Sequence, residues 1–334
     1  MDLALISADV FGTPAWMWLA FIGIVLGLLV FDLGVLNRKD HEIGVRESLA
    51  LSTLYIGLGL LFGAAVWTLR GAEDGVNYLT GFVVEKSLAM DNVFVIATIF
   101  TFFSVPRMYQ HRVLFWGILG VIVLRALMIG VGAALVTNFA WVLYLFAIFL
   151  IATGVKMLVV RHKDRSLGRN PVIGFLRRRL NVTDQHHQQH FFVRLPHPAT
   201  GNMRWYVTPL FMALVMIELA DVIFAVDSVP AIFAITTDPF IVYTSNIFAI
   251  LGLRALYFAL AALVHRFEYL KVALSFILIF IGGKIFAADL LGVEKIPPAL
   301  SLGVTAALLA AGIAFSLWKT RRQATPPLDP VEDK

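Results

Sequence analysis

Three carboxylates inside one apolar run constrain this chain more than any other feature. The run, ELADVIFAVDSVP, extends from Glu218 to Pro230 and includes Asp221 and Asp227 in surroundings as apolar as a membrane span. An ionisable group at the centre of a bilayer costs at least about 2.5 kcal/mol, and such groups usually serve ion transport, proton transfer or charge pairing. The run therefore predicts a cation site, a proton path or a set of buried counter-charges.

The composition indicates the class of protein. The chain has 334 residues, of which 59% are hydrophobic and 15% are charged, whereas soluble domains typically contain about 25% charged residues. The fold class predicted is therefore an all-α polytopic membrane protein. Cysteine is absent, which excludes disulfides, thiolate metal sites and dithiol redox chemistry and leaves oxygen or imidazole ligands for any metal.

The apolar stretches predict nine transmembrane helices in a single transmembrane domain, residues 1–318. A spanning helix needs about 20 mostly apolar residues. The stretches are 15–36, 49–69, 77–103, 113–134, 140–160, 206–235, 241–264, 271–289 and 298–318. The first has no basic start and no small-residue cleavage site, so we predict a retained helix rather than a signal peptide.

The distribution of basic residues predicts the orientation. Of the 27 Lys and Arg residues, 20 flank one side of the predicted membrane, and the loops on the opposite side carry only Arg70 and Lys295. Basic residues in short loops favour the cytoplasm, so we predict an outside N-terminus and a cytoplasmic C-terminus. The positive net charge then follows from the topology, with a lipid bilayer and no nucleic acid as partner.

The longest loop, residues 161–205, is predicted to be cytoplasmic and is too short for an independent domain. Pro171 to Leu180 is predicted to be a short basic helix. The segments HFFVR (190–194) and MRWYVT (203–208) are predicted to form a small hairpin around a Gly/Asn turn.

Two further segments have polar sequences. His186, His187 and His190 could form a metal sensor, because imidazoles four residues apart face one way on a helix. Incidental histidines in a polar loop are the favoured interpretation. The tail, residues 319–334, is proline-rich and charged, and it is predicted to be disordered.

Three landmarks recur in the same order in two parts of the chain, which predicts an internal repeat. They are EKSLAMDNV (85–93) and DVIFAVDSV (221–229), LRAL (124–127) and LRAL (253–256), and FLIATGVKM (149–157) and ILIFIGGKI (277–285). Spans three and six, which begin the two copies, cross the membrane in opposite directions. We therefore predict a 3+3 inverted-topology repeat, with repeat A at about 77–160 and repeat B at about 206–289, as in many secondary transporters.

The repeat predicts how the carboxylates are arranged. Six residues along a helix rise about 9 Å, so the acids of each copy define two levels. We expect Asp91 to lie level with Glu218 and Asp221, and Glu85 to lie level with Asp227. We also expect Pro230 to interrupt its helix, because its ring clashes with the carbonyl oxygen four residues earlier.

The predicted metal site combines five carboxylates with possible amide and cationic neighbours. The carboxylates are Glu85, Asp91, Glu218, Asp221 and Asp227, and the possible further ligands or second-layer groups are Asn92, Asn246, Lys86, Arg125 and Arg254. Three bases against five acids leave an excess charge near −2, which suits one divalent cation or protons. Oxygen ligands favour Mg²⁺, Ca²⁺ or Mn²⁺ over Zn²⁺ or Cu⁺.

Two other interpretations stay open on the residues alone. The acids could be structural and neutralise the buried bases, although buried ion pairs seldom stabilise more than apolar packing does. Glu218 and Asp221, three residues apart on one helix face, could also form an acid pair in an intramembrane hydrolase. We expect no enzyme activity, because a hydrolase would also need a defined nucleophile or a metal-bound water, and the two predicted levels of acids are too far apart to form a single catalytic pair.

The motifs EKSLAMDNVFV, ELADVIFAVDSVPAIFAITTDPFIV, TSNIFAILGLRALYF and HFFVR resemble the TerC family of integral membrane proteins, in particular its Alx branch. The resemblance covers most of the chain. It implies a bacterial inner-membrane exporter that carries Mn²⁺ as its substrate, with the five carboxylates as the residues involved and no permanently bound cofactor. Exchange of the metal for protons is the expected coupling. The family's tellurium-resistance and redox labels imply the alternative, a membrane scaffold or redox component.

Overall fold

A computed structural model describes residues 9–31, 44–159, 171–185, 187–197, 201–260, 270–293 and 296–323. A short N-terminal hairpin, β1 (Asp9–Val10) and β2 (Thr13–Pro14), precedes the helices. Eleven helices follow in the described part: α1 Ala15–Phe31, α2 Val45–Arg70, α3 Ala72–Phe102, α4 Arg107–Asn138, α5 Val142–Val159, α6 Pro171–Arg179, α7 Pro209–Phe233, α8 Pro239–Leu251, α9 Leu253–Leu260, α10 Leu270–Leu291 and α11 Pro298–Gln323. The predicted all-α membrane class is confirmed.

Seven helical segments of the described chain are long and apolar enough to cross a membrane, and one of them combines α8 and α9. They are the segments built from α2, α4, α5, α7, α8–α9, α10 and α11. The 17-residue α1 is apolar but shorter. The 31-residue α3 is about 46 Å long at a rise of about 1.5 Å per residue, but it carries several charged side chains.

The polar sequence of α3 is explained by its position in the bundle. It packs against α2, α7, α8, α9, α10 and α11, so helices rather than lipid surround it. The α8–α9 segment is equally interior, with 94% of its apolar window buried, against 17–44% for the other candidate spans. The remaining helices expose large apolar residues such as Leu61, Leu127 and Ile148, as expected for a surface that faces lipid.

Local sequence signals fix several helix ends. Asp238 caps α8, because its side chain accepts a hydrogen bond of 3.1 Å from the backbone N–H of Ile241. Proline occupies the first turn of α7 and of α8, where no backbone donor is lost. Gly71 joins α2 to α3 with φ +100°, a backbone conformation that favours glycine.

Arg70 ties this end of the bundle together. Its guanidinium donates to Asp74 at 2.7 Å and to Asp238 at 2.5 Å. It also donates to the hydroxyl of Thr13 and lies over the ring of Phe240. The contacts join the N-terminal hairpin, the α2–α3 corner and the start of α8.

The predicted interruption at Pro230 is wrong. Helix α7 continues through this residue to Phe233, and the carbonyl of Pro230 accepts a hydrogen bond from the backbone N–H of Ala234. Pro230 lies in the last turn, so the helix ends soon after the missing donor. The interruption of a predicted span occurs instead at Gly252, between α8 and α9.

The segment between α5 and α7 forms the predicted helix and hairpin. Helix α6 covers Pro171–Arg179, and β3 (Phe192–Pro196) pairs antiparallel with β4 (Met203–Val207). Ile173 and Val207 are buried in the same apolar cluster as residues of α3, α4 and α7. The segment is therefore packed against the end of the bundle.

At the C-terminus, α11 continues to Gln323. The first residues of the predicted tail 319–334 are thus helical, because they extend the last spanning helix. Residues 324–334 lie outside the described part of the chain.

Candidate functional site

The centre of the bundle contains a guanidinium shared by two carboxylates. Arg125 of α4 binds both oxygens of Asp221 on α7, each at 3.1 Å. It also donates at 2.5 Å to Oε1 of Glu85 on α3 and to the hydroxyl of Ser228 on α7. Arg125, Glu85 and Asp221 are all buried. Three helices therefore meet at one charged group.

The predicted pairing of levels is wrong for two of the acids. Glu85 shares Arg125 with Asp221, whereas we expected Glu85 to lie level with Asp227. The reason is the start of α3, which begins at Ala72 rather than residue 77. The middle of α3 is consequently near Ser87, and Glu85 lies opposite Asp221 at the middle of α7.

Glu218 occupies a different position on the same face of α7. A Cβ atom added at Gly120 of α4 would collide with the Glu218 carboxylate, and one added at Gly117 would be 4.0 Å from its Oε1. Glu218 Oε2 is buried and accepts no hydrogen bond from the described part of the chain. An unpartnered buried oxygen is costly, so this carboxylate is available to a cation or a proton.

Two buried amides lie on α3 and α8, which pack together. Asn92 leaves Oδ1 without a hydrogen bond, and Asn246 leaves both Oδ1 and Nδ2 without one, within the described residues. Both side chains are buried, with 6% and 0% exposure. Their oxygens are suitable ligands for a hard cation.

The second acid of each of the two motifs, EKSLAMDNV and DVIFAVDSV, is less enclosed than the first. Asp91 on α3 and Asp227 on α7 are both half-buried. Asp227 accepts a hydrogen bond of 3.1 Å from the hydroxyl of Thr153 on α5. The Asp227 carboxylate is thus held at the α5–α7 contact.

Lys86 is buried, and it does not pair with a carboxylate among the described residues. Its ammonium donates at 3.0 Å to the carbonyl of Ala249, in the last turn of α8. A Cβ added at Gly252, where α8 ends, would lie 2.8 Å from Lys86 Nζ. A cation is favourable at a helix C-terminus, so Lys86 stabilises the break between α8 and α9. Arg254 is buried in the first turn after this break.

The described residues contain no group of three His, Cys, Asp or Glu side chains gathered closely enough to hold a metal ion. Of the predicted site, the structure brings together Glu85, Asp221 and Arg125, with Glu218 on the adjoining turn of α7. Arg125 lies between the Glu85 and Asp221 carboxylates and supplies their counter-charge.

Sequence reasoning missed four residues that shape this region. They are Ser228, Gly120, Thr153 and Gly252. Ser228 follows Asp227 directly and Thr153 lies within a repeat landmark, so proximity to a motif was an available signal. Gly252 directly precedes the LRAL landmark, so the same signal applied to it, whereas Gly120 had no signal beyond its presence in an apolar span.

The histidines of the loop do not share a helix in the described part. Helix α6 ends at Arg179, and His187 and His190 belong to a turn in which the His190 N–H bonds the His187 carbonyl at 3.1 Å. The predicted metal sensor assumed that the histidines lie on one helix, and this assumption is wrong for His187 and His190. His186 lies outside the described residues.

Residues 70–324 match the model of the integral membrane protein TerC family. The chain belongs to the TerC family. The match includes α3 to α11, and so every residue of the candidate site. No solved structure matches the chain.

Three similar proteins are bacterial membrane proteins by their printed names. This TerC protein is 46% identical over 318 residues to "Uncharacterized membrane protein STKORF319" of Myxococcus xanthus, covering 95% of this chain and 97% of the relative. It is 48% identical over 300 residues to an uncharacterised membrane protein of Rickettsia bellii, covering 90% and 96%. It is 45% identical over 320 residues to "Putative membrane-bound redox modulator Alx" of Escherichia coli K12, covering 93% and 97%.

Proposed function

We propose that the protein is a transporter that exports a divalent cation, Mn²⁺, through the intramembrane carboxylates. The observation that carries the proposal is the buried Oε2 of Glu218, which has no hydrogen-bond partner in the described chain. With Glu85, Asp221 and Arg125 it forms a group of net charge −2 when all three acids are ionised. That excess matches one divalent cation, and a buried excess charge requires a counter-charge.

In the proposed transport cycle, the carboxylates would be neutralised in turn by Arg125 and by the transported metal ion. Arg125 binds Asp221 through two hydrogen bonds, which a rotation of the guanidinium would release. Carboxylates and the amide oxygens of Asn92 and Asn246 would then be available to the metal. These are the oxygen ligands that Mn²⁺ accepts. Mn²⁺ is the substrate in this proposal, with no resident cofactor and no catalysed reaction.

We further propose the inverted repeat as the basis of alternating access. A Cβ at Gly154 on α5 would lie 2.7 Å from the carbonyl oxygen of Ser275 on α10, and a Cβ at Gly282 on α10 would lie 2.6 Å from the carbonyl oxygen of Ala147 on α5. In the repeat alignment Gly154 corresponds to Gly282 and, by the same offset, Ala147 to Ser275. The proposed symmetry therefore relates the contact of Gly154 with Ser275 to the contact of Gly282 with Ala147.

The packing of the other repeat helices supports the same symmetry. Helix α3 packs on α8, and its counterpart α7 packs on α4, the counterpart of α8. The corresponding helices α3 and α7 also pack on each other, as do α5 and α10. The break at Gly252 adds a discontinuous helix, a common feature of transporters built from inverted repeats. The seven apolar segments, together with α1 and α3, would make nine spans.

The proposed setting is the bacterial inner membrane, with the N-terminus outside and the C-terminus in the cytoplasm. The basic residues on the side of α6 and the hairpin support this orientation. Exchange of the metal for protons is the proposed coupling, because carboxylates that repel one another when ionised favour binding of either a proton or a cation.

A second candidate function is a membrane scaffold or redox component with structural acids. The pairing of Glu85 and Asp221 with Arg125 favours it, as does the redox description in the printed name of the Escherichia coli relative. A thiol mechanism is not available to this chain, since it has no cysteine. The two candidate functions make different predictions for Asp91 and Asp227. A transporter needs these carboxylates, whereas acids that only neutralise Arg125 do not include them.

The test is the cellular manganese content under Mn²⁺ load. Cells that carry the wild-type protein should accumulate less manganese than cells without it, whereas Asp91→Asn and Asp227→Asn should lose this protection. Asp184→Asn is the matched control, because its side chain is 87% exposed in the loop. Equal protection by wild type and both intramembrane variants, at equal membrane abundance, would refute the carboxylate route.

A further inference from the structure

One face of the small hairpin exposes apolar side chains outside the spanning helices. The register pairs Phe192 with Val207, Arg194 with Trp205 and Pro196 with Met203. Cross-strand partners share a face of a sheet, so Phe192, Arg194, Met203 and Trp205 lie on the same side. These four residues are the hairpin outer face.

The hairpin outer face is unusually apolar for a surface that would face water. Phe192 is 49% exposed, Met203 54% and Trp205 64%. Exposed apolar groups that lie together mark a surface that contacts a protein or a membrane. Tryptophan is also enriched where a membrane meets water, because its ring is apolar and its N–H is polar.

The charge of the loop that contains this face indicates the partner. Residues 161–205 contain nine Lys and Arg residues against two Asp and no Glu. The last turn of α6 presents Arg177, Arg178 and Arg179. Basic segments next to a membrane bind anionic lipid headgroups.

The hairpin is continuous with a spanning helix. Strand β4 ends at Val207, and α7 begins at Pro209. The ring of Phe192 lies 4.7 Å from the ring of Phe211 in the first turn of α7. The hydroxyl of Thr208 bonds the carbonyls of His190 and Phe191. The hairpin outer face thus begins where α7 enters the membrane.

We propose that the hairpin outer face lies in the headgroup layer of the adjacent membrane leaflet and binds anionic phospholipid. Trp205, Met203 and Phe192 enter the boundary between headgroups and acyl chains. Arg194, which the register places beside Trp205, contacts the phosphates. The surface anchors the loop to the membrane, and it does so whether or not the protein transports a metal.

The absence of cysteine gives a direct test, because a single introduced cysteine is the only labelling site. Met203→Cys places a fluorophore on the hairpin outer face, and Arg204→Cys places it on the opposite face, next in sequence. Each full-length variant is labelled with a polarity-sensitive dye and placed in lipid nanodiscs. The discs contain phosphatidylcholine alone or mixed with phosphatidylglycerol. Quenching by spin-labelled lipid and by aqueous iodide is then measured.

The label at residue 203 should be quenched by spin-labelled lipid at least about twofold more than the label at residue 204, and iodide should show the reverse order. Lipid quenching at residue 203 should increase with phosphatidylglycerol and decrease when Arg194→Glu is added. Equal iodide quenching at the two positions in both lipids would overturn the proposal, and so would strong lipid quenching that is unaffected by phosphatidylglycerol. If the hairpin outer face binds a protein instead, iodide should quench the two labels equally in both lipids.

Discussion

At the scale of single residues, Gly120 determines whether the Glu218 carboxylate fits between α4 and α7. A methyl group at Gly120 would collide with this carboxylate and displace it from its buried position. Because a small displacement of a binding group can cost a large factor in rate, we expect Gly120→Ala to reduce export about tenfold or more. Manganese content under load measures this loss.

Gly117→Ala is the matched control for Gly120→Ala. It lies three residues earlier on the same helix, where an added Cβ would be 3.7 Å from Ile217 Cγ2, an ordinary contact. Both changes replace glycine by alanine inside α4, so both gain the same helix propensity, about 1 kcal/mol. Equal export by the two variants would show that the fit of Glu218 is unimportant.

Arg125 should be essential for stability because it neutralises two buried acids. Arg125→Gln leaves Glu85 and Asp221 buried without a counter-charge, and removal of one member of such a pair costs about 3–5 kcal/mol. We expect a lower unfolding temperature in detergent. Adding Glu85→Gln and Asp221→Asn should restore much of it, because no charge is then left unpaired. A triple variant as unstable as Arg125→Gln would contradict this account of the ion pairs.

At the scale of helices, Gly154 and Gly282 should be equally sensitive to substitution. Each would place a methyl group against a backbone carbonyl of the partner helix, and overpacking of this kind costs about 1–3 kcal/mol. Gly154→Ala and Gly282→Ala should therefore lower the unfolding temperature by similar amounts. Gly283→Ala is the control, since nothing lies within 4 Å of its added Cβ. Destabilisation by one variant alone would contradict the symmetric contact.

The sequence predicted those elements whose signal is local. Hydropathy predicted the helices of the bundle, and the segments HFFVR and MRWYVT, with the Gly/Asn turn between them, predicted the hairpin. The contact of Glu85 with Arg125 was not predictable in the same way, because it depends on the start of α3 at Ala72. Ala72, Glu73 and Asp74 do not resemble a membrane span, although they continue the helix.

The break in the seventh predicted span was missed for a related reason. Gly252 lies in an apolar run and has φ −83°, so no residue there demands a turn. The break is accommodated by Lys86, which binds the carbonyl of Ala249 from another helix. This contact exists because α3 packs on α8. The spacing of residues along the chain does not predict which helices pack together.

At the scale of the whole molecule, the proposed orientation predicts which loops can be labelled from outside the cell. Ala140 and Arg178 are both exposed, and they lie in loops assigned to opposite sides. In a chain without cysteine, a membrane-impermeant maleimide should label Ala140→Cys in intact cells. Arg178→Cys should react only after the cells are permeabilised. The opposite pattern would reverse the assignment.

Export of Mn²⁺ through the intramembrane carboxylates is tested most directly by flux into liposomes that contain the purified protein and an enclosed manganese-sensitive dye. The wild-type protein should carry Mn²⁺ across the membrane faster than protein-free liposomes do, and an imposed pH difference should change the rate. Asp227→Asn and Asp91→Asn should reduce the flux to the protein-free level. A wild-type flux no greater than that of empty liposomes, or a flux in both variants equal to that of the wild type, would contradict the proposed function.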